Sequence, residues 1–400
     1  MISEKINEIL KINESYEMPE AMMNMLLSQD KDKILSQIAN NYDFSKDDFR
    51  DYFQTEHGDR EKYKQDYTPD CICTLLSKLI QNKQTFTDVC SGTGALSISM
   101  INSETKEISC EELSGRAIPV LICNLALRNV NAIVNQKNII TDKVDNIFVL
   151  SHGEKFSNIT KSDKEPEEKS NLFISNPPYS LGWEQKRDSR FTGYDLPPSS
   201  KADYVFVIDV INRLACNGEA FFILPHGILF RGQKEGKIRQ TIVENNLLDA
   251  IIGLPDNMFL NTNIPVCIFC LKKNKNTKDV FFINAAQDFE KNGKQNFMSD
   301  AQIKKIVDVY KNRTNIDNFS KVVTKENIID NDYNLNISRY VEDRQNKEEI
   351  DLSKEIIGLI NINNDIKNIN KEISNILKEI HGDNQYENNA KQLMRWLEND

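Results

Sequence analysis

The sequence predicts an α/β protein built on a mostly parallel, doubly wound sheet, and three observations point there. From residue 63 to about 315, short apolar runs of strand composition alternate with amphipathic stretches of helical period. The most distinctive loops, Asp88-Val-Cys-Ser-Gly92-Thr-Gly94 and Asn176-Pro177-Pro178-Tyr179, each follow such a run directly. Open α/β sheets collect their ligands at the carboxyl ends of strands, where those loops would fall.

The elements follow in order. Residues 1–62 read as a small helical unit: Pro19 suits the first turn of a helix ahead of EAMMNMLL, and Ser45 with Asp48 resembles a cap ahead of Phe49, Tyr52 and Phe53. Seven strands are expected at 86–89, 107–110, 137–140, 172–175, 219–224, 247–254 and 264–271, within a domain over 63–315. AIPVLICNLALRN and ADYVFVIDVINRL are helical stretches between them, and the charged segment 151–170 reads as a mobile loop. A connecting segment, 316–345, leads to a helical, coiled-coil-like region over 346–400. There Leu352, Leu359, Ile366, Ile373 and Ile380 recur every seven residues, with Ile362, Ile369 and Ile376 at the three-residue offset. One narrow apolar stripe on a long helix needs a partner, in this chain or another.

Composition narrows the function. The start, MISEKINEIL, lacks a basic stretch followed by an apolar run, so no secretory signal is expected, and no apolar segment reaches the roughly 18 residues of a membrane span. Eight scattered cysteines fit reduced thiols in a cytoplasm; Cys267 and Cys270 form a CxxC inside a strand-like run, where packing explains them. Four histidines without ligand spacing predict no metal site. The net charge of −10 opposes a chain that grips DNA phosphates unaided.

Four motifs carry chemistry. In Asn176-Pro177-Pro178-Tyr179 two prolines stiffen the backbone, so the Asn176 side-chain oxygen and the Pro177 carbonyl can accept from both hydrogens of an amino group. A conjugated amine is a poor nucleophile, and two such acceptors favour its pyramidal form during attack. Tyr179 offers a flat face for a base. In the glycine loop, Asp88 argues against a phosphate and for an ammonium, while Gly92 and Gly94 permit close backbone approach around Ser91 and Thr93. Glu112, or its neighbour Glu111, ends a strand where a carboxylate accepts from ribose hydroxyls, and Asp142 ends the next, where it can contact an adenine ring. Tyr67-Thr68-Pro69 reads alone as a turn with an aromatic residue.

Together YTP (67–69), DVCSGTG (88–94), EL (112–113) and NPPY (176–179) resemble, in order, the motifs of the gamma-class adenine-specific DNA methyltransferases. The blocks KADYVFVIDVI (201–211), FFILPHGILFRGQKEGKIRQ (221–240), LLDAIIGLP (247–255), IPVCIFCLKKNK (264–275) and YNLNISRYV (333–341) resemble the modification subunit of type I restriction–modification systems. The resemblance implies a Rossmann-like, seven-stranded methyltransferase core that uses S-adenosyl-L-methionine. It implies Tyr67, Thr68, Pro69, Asp88, Ser91, Gly92, Thr93, Gly94, Glu112 and Asp142 as cofactor contacts, and Asn176, Pro177, Pro178 and Tyr179 as the catalytic loop around an extruded adenine. Implied partners are double-stranded DNA, a specificity subunit, a second modification subunit and a restriction subunit. The heptad region is then a docking helix, and a partner supplies the DNA contacts an acidic chain lacks. The chain departs from the family pattern in a short N-terminal unit, in Asp66 where an aromatic residue is usual, in Asn263 for a glycine, and in the 151–170 segment.

Three other readings compete. NPPY also serves enzymes that methylate RNA guanine or protein glutamine, but they lack a YTP segment here and the long blocks after NPPY. Cytosine-ring methylation needs a cysteine where Pro178 stands. A catalytically silent assembly or DNA-binding subunit would not need Asn176 or the glycine loop.

Overall fold

The computed structural model describes residues 2–57, 66–164, 169–260, 262–293, 295–341, 352–379 and 384–399. They fall into two units, Met1–Glu342 and Asp343–Asp400.

The strands of the first unit are β1 (Thr85–Val89), β2 (Glu107–Glu112), β3 (Ala132–Asn138), β4 (Lys143–Ser151), β5 (Asn158–Ser162), β6 (Ser170–Ser175) and β7 (Leu214–Pro225). They continue with β8 (Leu248–Gly253), β9 (Val266–Lys272), β10 (Val280–Asn284), β11 (Glu290–Asn292), β12 (Gln295–Phe297) and β13 (Ser320–Val323). Eleven of them form one sheet in the order β13-β10-β8-β9-β7-β6-β1-β2-β3-β4-β5, and β11 pairs with β12. The seven central strands, from β3 to β8, are the expected mostly parallel core. Within it β9 alone runs against its neighbours. The sheet exceeds seven strands because β4 and β5 extend one edge in antiparallel fashion while β10 and β13 extend the other.

Two local expectations shift. The strand expected at 137–140 ends at Asn138, whose Oδ1 accepts from Ile140 N (3.0 Å) and Thr141 N (3.2 Å) and turns the chain. Within the segment expected as a loop, residues 158–162 pair with β4 as an edge strand. Lys and Ser on an exposed edge leave no apolar run to read, and they also discourage further strand pairing.

Helices cover both faces: α1 (Ile2–Leu10), α2 (Met18–Leu26), α3 (Lys31–Ala39), α4 (Arg50–Glu56), α5 (Asp70–Leu79), α6 (Ala95–Met100), α7 (Ala117–Leu127), α8 (Asp203–Arg213), α9 (Gln233–Glu244), α10 (Asp300–Asn312), α11 (Lys325–Asp330) and α12 (Ser338–Val341). Every residue of α7 is buried, because α2 and α3 pack on it. A helix apolar all round needs cover on every side, and the N-terminal helices supply it. Pro19 sits in the first turn of α2 as expected. Ser45 does not cap α4: its N–H and hydroxyl both donate to Asp43 Oδ1, and α4 begins only at Arg50.

In the second unit, α13 (Leu352–Lys378) carries the heptad residues and is followed by a further helix, α14 (Asn384–Asn399), that packs on it. The expected seam position at Ile380 lies outside the described residues. Among the described residues no helix is long and apolar enough to cross a membrane.

Candidate active site

The glycine loop links β1 to α6 through a run of left-handed backbone. Cys90 (φ 61°), Gly92 (59°) and Gly94 (96°) all lie there. The φ of 96° at Gly94 is one that L side chains rarely adopt, so a substitution there is strained, and a Cβ would also press on Leu121 Cδ1 at 2.7 Å. Just before the loop, Asp88 is fully buried. Its Oδ2 accepts from Ser97 N (3.1 Å) and Ser97 Oγ (2.6 Å), while Oδ1 has no hydrogen-bond partner. Burial pushes its carboxyl up to about 7.

At the end of β2, two adjacent glutamates separate into different environments. Glu111 is gripped by Arg213 through two bonds of 2.7 and 2.8 Å, with Lys137 at 3.7 Å. Arg213 also reaches Asp209 Oδ2 (2.7 Å), and Asp209 Oδ1 accepts from Arg190 (3.1 Å). Arg190 in turn donates to the carbonyls of Ile139 (2.6 Å) and Ile140 (2.9 Å). Glu112 meets no cation in this set. Its Oε2 accepts from Gly92 N (2.8 Å) and its Oε1 from Ser114 N (2.7 Å). Each oxygen keeps a second lone pair, and burial raises the carboxyl above the usual range.

The corner after β6 is held on both sides. Asn176 Nδ2 donates to the Asp66 carbonyl (3.0 Å) and to Thr68 Oγ1 (2.9 Å). A carbonyl can only accept, which fixes the amide orientation and turns Oδ1 toward the Tyr179 hydroxyl at 2.7 Å. Beyond the prolines, Ser180 N donates to Asp203 Oδ1 (2.8 Å), and the buried Asp203 also holds Arg231 (3.0 Å). Tyr179 is buried edge-on against Phe259. Segment 66–69 thus straps across from the corner, and the Tyr67 ring lies 3.4 Å from where a Gly92 Cβ would stand.

One cavity of about 930 Å³, counting the part open to solvent, gathers these groups. Tyr67, Thr68, Ser91, Gly92, Thr93, Glu112, Asn176, Pro177, Pro178 and Tyr179 all line it. Pro69, Asp88, Gly94 and Asp142 do not. Pro69 precedes α5, Gly94 shapes the loop from behind, and Asp88 lies beneath it. Asp142 turns away and pairs with Lys137 at 2.9 Å, leaving Asn138, Ile139 and Ile140 on that wall. Gln65, two residues before Tyr67, is outside the described residues. Sequence reasoning passed over Cys90, Ile139, Ile140 and Phe206, which also line the cavity. It also passed over the ionic chain behind Glu111. Asp209 and Arg213, four apart in the largely apolar ADYVFVIDVINRL, were its readable signal.

A sequence model described as N-6 DNA Methylase matches residues 44–349. The chain belongs to the N-6 DNA methylase family. It is 32% identical over 308 residues to the methylase subunit of the type I restriction enzyme MpnII of Mycoplasma pneumoniae, covering 72% of this chain and 54% of that protein. It is 40% identical over 200 residues to the MjaVII methylase subunit of Methanocaldococcus jannaschii, covering 46% of this chain and 34% of that one. Among solved structures it resembles the type I restriction-modification methyltransferase subunit of Streptococcus thermophilus, with TM-score 0.61 and 30% identity over 79% of this chain and 65% of that chain. The N-6 DNA methylase chain therefore spans about half or less of the length of these two curated relatives.

Proposed function

We propose that this chain transfers a methyl group from S-adenosyl-L-methionine to the exocyclic amino group of an adenine extruded from duplex DNA, as the modification subunit of a type I restriction–modification system. The observation that carries this reading is the Asn176 amide, locked by Asp66 and Thr68 with its oxygen available in the cavity that Gly92 and Glu112 also line.

The residues present fit the cofactor. Tyr67 lines the cavity beside Gly92, and its buried hydroxyl has no hydrogen-bond partner, which suits a polar ligand. Glu112 rather than Glu111 is the acid for the ribose diol, since Arg213 already occupies both oxygens of Glu111. Gly92, Ser91 and Thr93 would border the methionine moiety, Tyr67 would cover it, and the apolar wall of Ile139 and Ile140 would face the cofactor's adenine ring. When bound, S-adenosyl-L-methionine supplies an electrophilic methyl carbon on a sulfonium.

The chain's own part is orientation. The second lone pair of Asn176 Oδ1 and the Pro177 carbonyl each accept one hydrogen of the amine, so its lone pair leaves ring conjugation and points away from them. As the new C–N bond forms, the surplus proton passes from nitrogen to water. Neither acceptor is basic enough to take it. Tyr179, by donating to Asn176 Oδ1, keeps the oxygen in place between turnovers.

The acidic balance is answered by a partner: the isoleucine stripe of α13 docks a specificity subunit that reads and grips the DNA, beside a second modification subunit and a restriction subunit. Base-resolved methylation mapping of DNA from cells expressing the chain with its neighbouring genes tests the whole reading. N6-methyladenine at a recurring site is expected. Its absence while the complex is assembled and binds S-adenosyl-L-methionine defeats it, and a methylated RNA or glutamine would favour the other NPPY chemistry.

A further inference from the structure

The short segment between α3 and α4, together with the start of α4, touches both the glycine loop and the strap that border the cavity. Asp47 is buried and accepts from the Thr93 hydroxyl, from Asn124 Nδ2 (2.9 Å) and from Phe49 N (3.2 Å). Asn124 Nδ2 also donates to the Thr93 carbonyl (2.7 Å), so the glycine loop is clamped at Thr93 through side chain and backbone together. Three residues on, Arg50 donates to the Thr68 carbonyl (3.2 Å) and binds Asp70 through two bonds (2.5 and 3.2 Å). Phe53 packs edge-on against the Tyr67 ring at 5.9 Å.

This arrangement is costly if folding were its only purpose. A carboxylate buried without a cation in contact is expensive, and an apolar residue would close the same space more cheaply. What an apolar residue could not do is hold a hydroxyl of the loop at a fixed point. We propose that Asp47 and Arg50 are positioning residues for the cofactor cavity, Asp47 fixing the glycine loop through Thr93 and Arg50 fixing the strap through Thr68. The inference rests on reading this cavity as the S-adenosyl-L-methionine site. The N-terminal helices are then part of the cofactor site as well as cover for α7.

The test is calorimetric titration of the full chain with S-adenosyl-L-methionine. Asp47→Ala is expected to weaken binding about ten-fold, the size of one lost buried hydrogen bond. Asp47→Asn should stay near wild type, because its amide can donate to the Thr93 hydroxyl while its oxygen accepts from Asn124. Thr93→Val should match Asp47→Ala, and the double variant should be no weaker than either single one. Arg50→Ala should weaken binding independently, adding to the loss. If Asp47→Ala fails to fold, Thr93→Val against Asp47→Asn carries the comparison: loss in the first with retention in the second supports the proposal. Additive losses at Asp47 and Thr93, or equal binding in all variants, overturn it. A wild-type chain that does not bind at all removes the cofactor reading, and this inference with it.

Discussion

The cavity at the strand ends and the hairpin of α13 and α14 leave opposite kinds of surface unfinished. Around the cavity, buried carboxylates are each held by hydrogen bonds or by a cation, and the Tyr67 hydroxyl on its lining is a polar atom left over. Along α13 the leftover is apolar, with Leu359, Ile362, Ile366, Ile369, Ile373 and Ile376 each 37–67% exposed. The first surface is complete enough to select a small polar ligand. The second asks for another protein surface. If the proposed function holds, chemistry and assembly are separable in this chain, and substitutions should move one without the other.

The largest separation is expected at Asn176. On the proposed mechanism, Asn176→Ala removes one of two acceptors for the amine, and groups of that kind are worth about 10²–10³ in rate. Methyl transfer to DNA by the assembled complex, followed with labelled cofactor, should fall by that factor. Cofactor affinity should weaken only slightly, through the lost tether to Thr68, and assembly should be unchanged. Wild-type activity in this variant sinks the mechanism.

Within the cavity, the two glutamates of β2 offer the next contrast. Arg213→Ala takes the guanidinium from buried Glu111 and Asp209, leaving Lys137 at 3.7 Å from the first and Arg190 at 3.1 Å from the second; breaking a buried pair costs about 3–5 kcal/mol. Urea denaturation should show a loss of that order. Glu112→Ala breaks no ion pair seen here, so its main effect should be weaker cofactor binding by calorimetry. A variant pair behaving the other way round would reverse the assignment of the two acids.

Asp88 gives a smaller effect, with a sign set by burial. Its folded carboxyl, up at about 7, lies above the roughly 3.9 of an unfolded chain. The folded state therefore holds a proton that the unfolded state releases between those values. Stability from this group is fully present below about pH 4 and is lost as pH rises through about 7. Asp88→Asn removes that titration, so the ligand-free variant should have a melting temperature less sensitive to pH between about 4 and 7. A pH profile identical to wild type would show that Asp88 does not titrate there.

Much of this was legible in the sequence because it is written in contiguous residues. The seven core strands carry apolar runs, and the loops at their ends carry glycine or proline whose backbone needs are local. What escaped is non-local. β5 hides because an exposed edge strand has no buried face to give it a period. Asp142 looked like a strand-end acid at the site, but it pairs with Lys137, and Lys137 rather than Asp142 lines the cavity. Glu111 and Glu112 could not be told apart until Arg213, about a hundred residues later, was seen to occupy one of them. Asp47 gave no signal at all, since its partners Thr93 and Asn124 are joined to it only by the fold.

The smallest effect on the isolated chain is expected in the hairpin, and it sharpens the comparison most. Ile362, Ile369 and Ile376 are 58%, 54% and 64% exposed, so changing all three to Ser removes little packing from the chain itself. Exposed substitutions away from special features usually stay within about 0.5 kcal/mol each. The melting temperature and cofactor affinity of the triple variant should therefore match wild type. Co-elution with the specificity subunit on size exclusion should nonetheless be lost, because a heptad seam binds through those side chains and little else. Deleting residues 350–380 should give the same loss of assembly. If the complex survives either change, the stripe is not the docking surface.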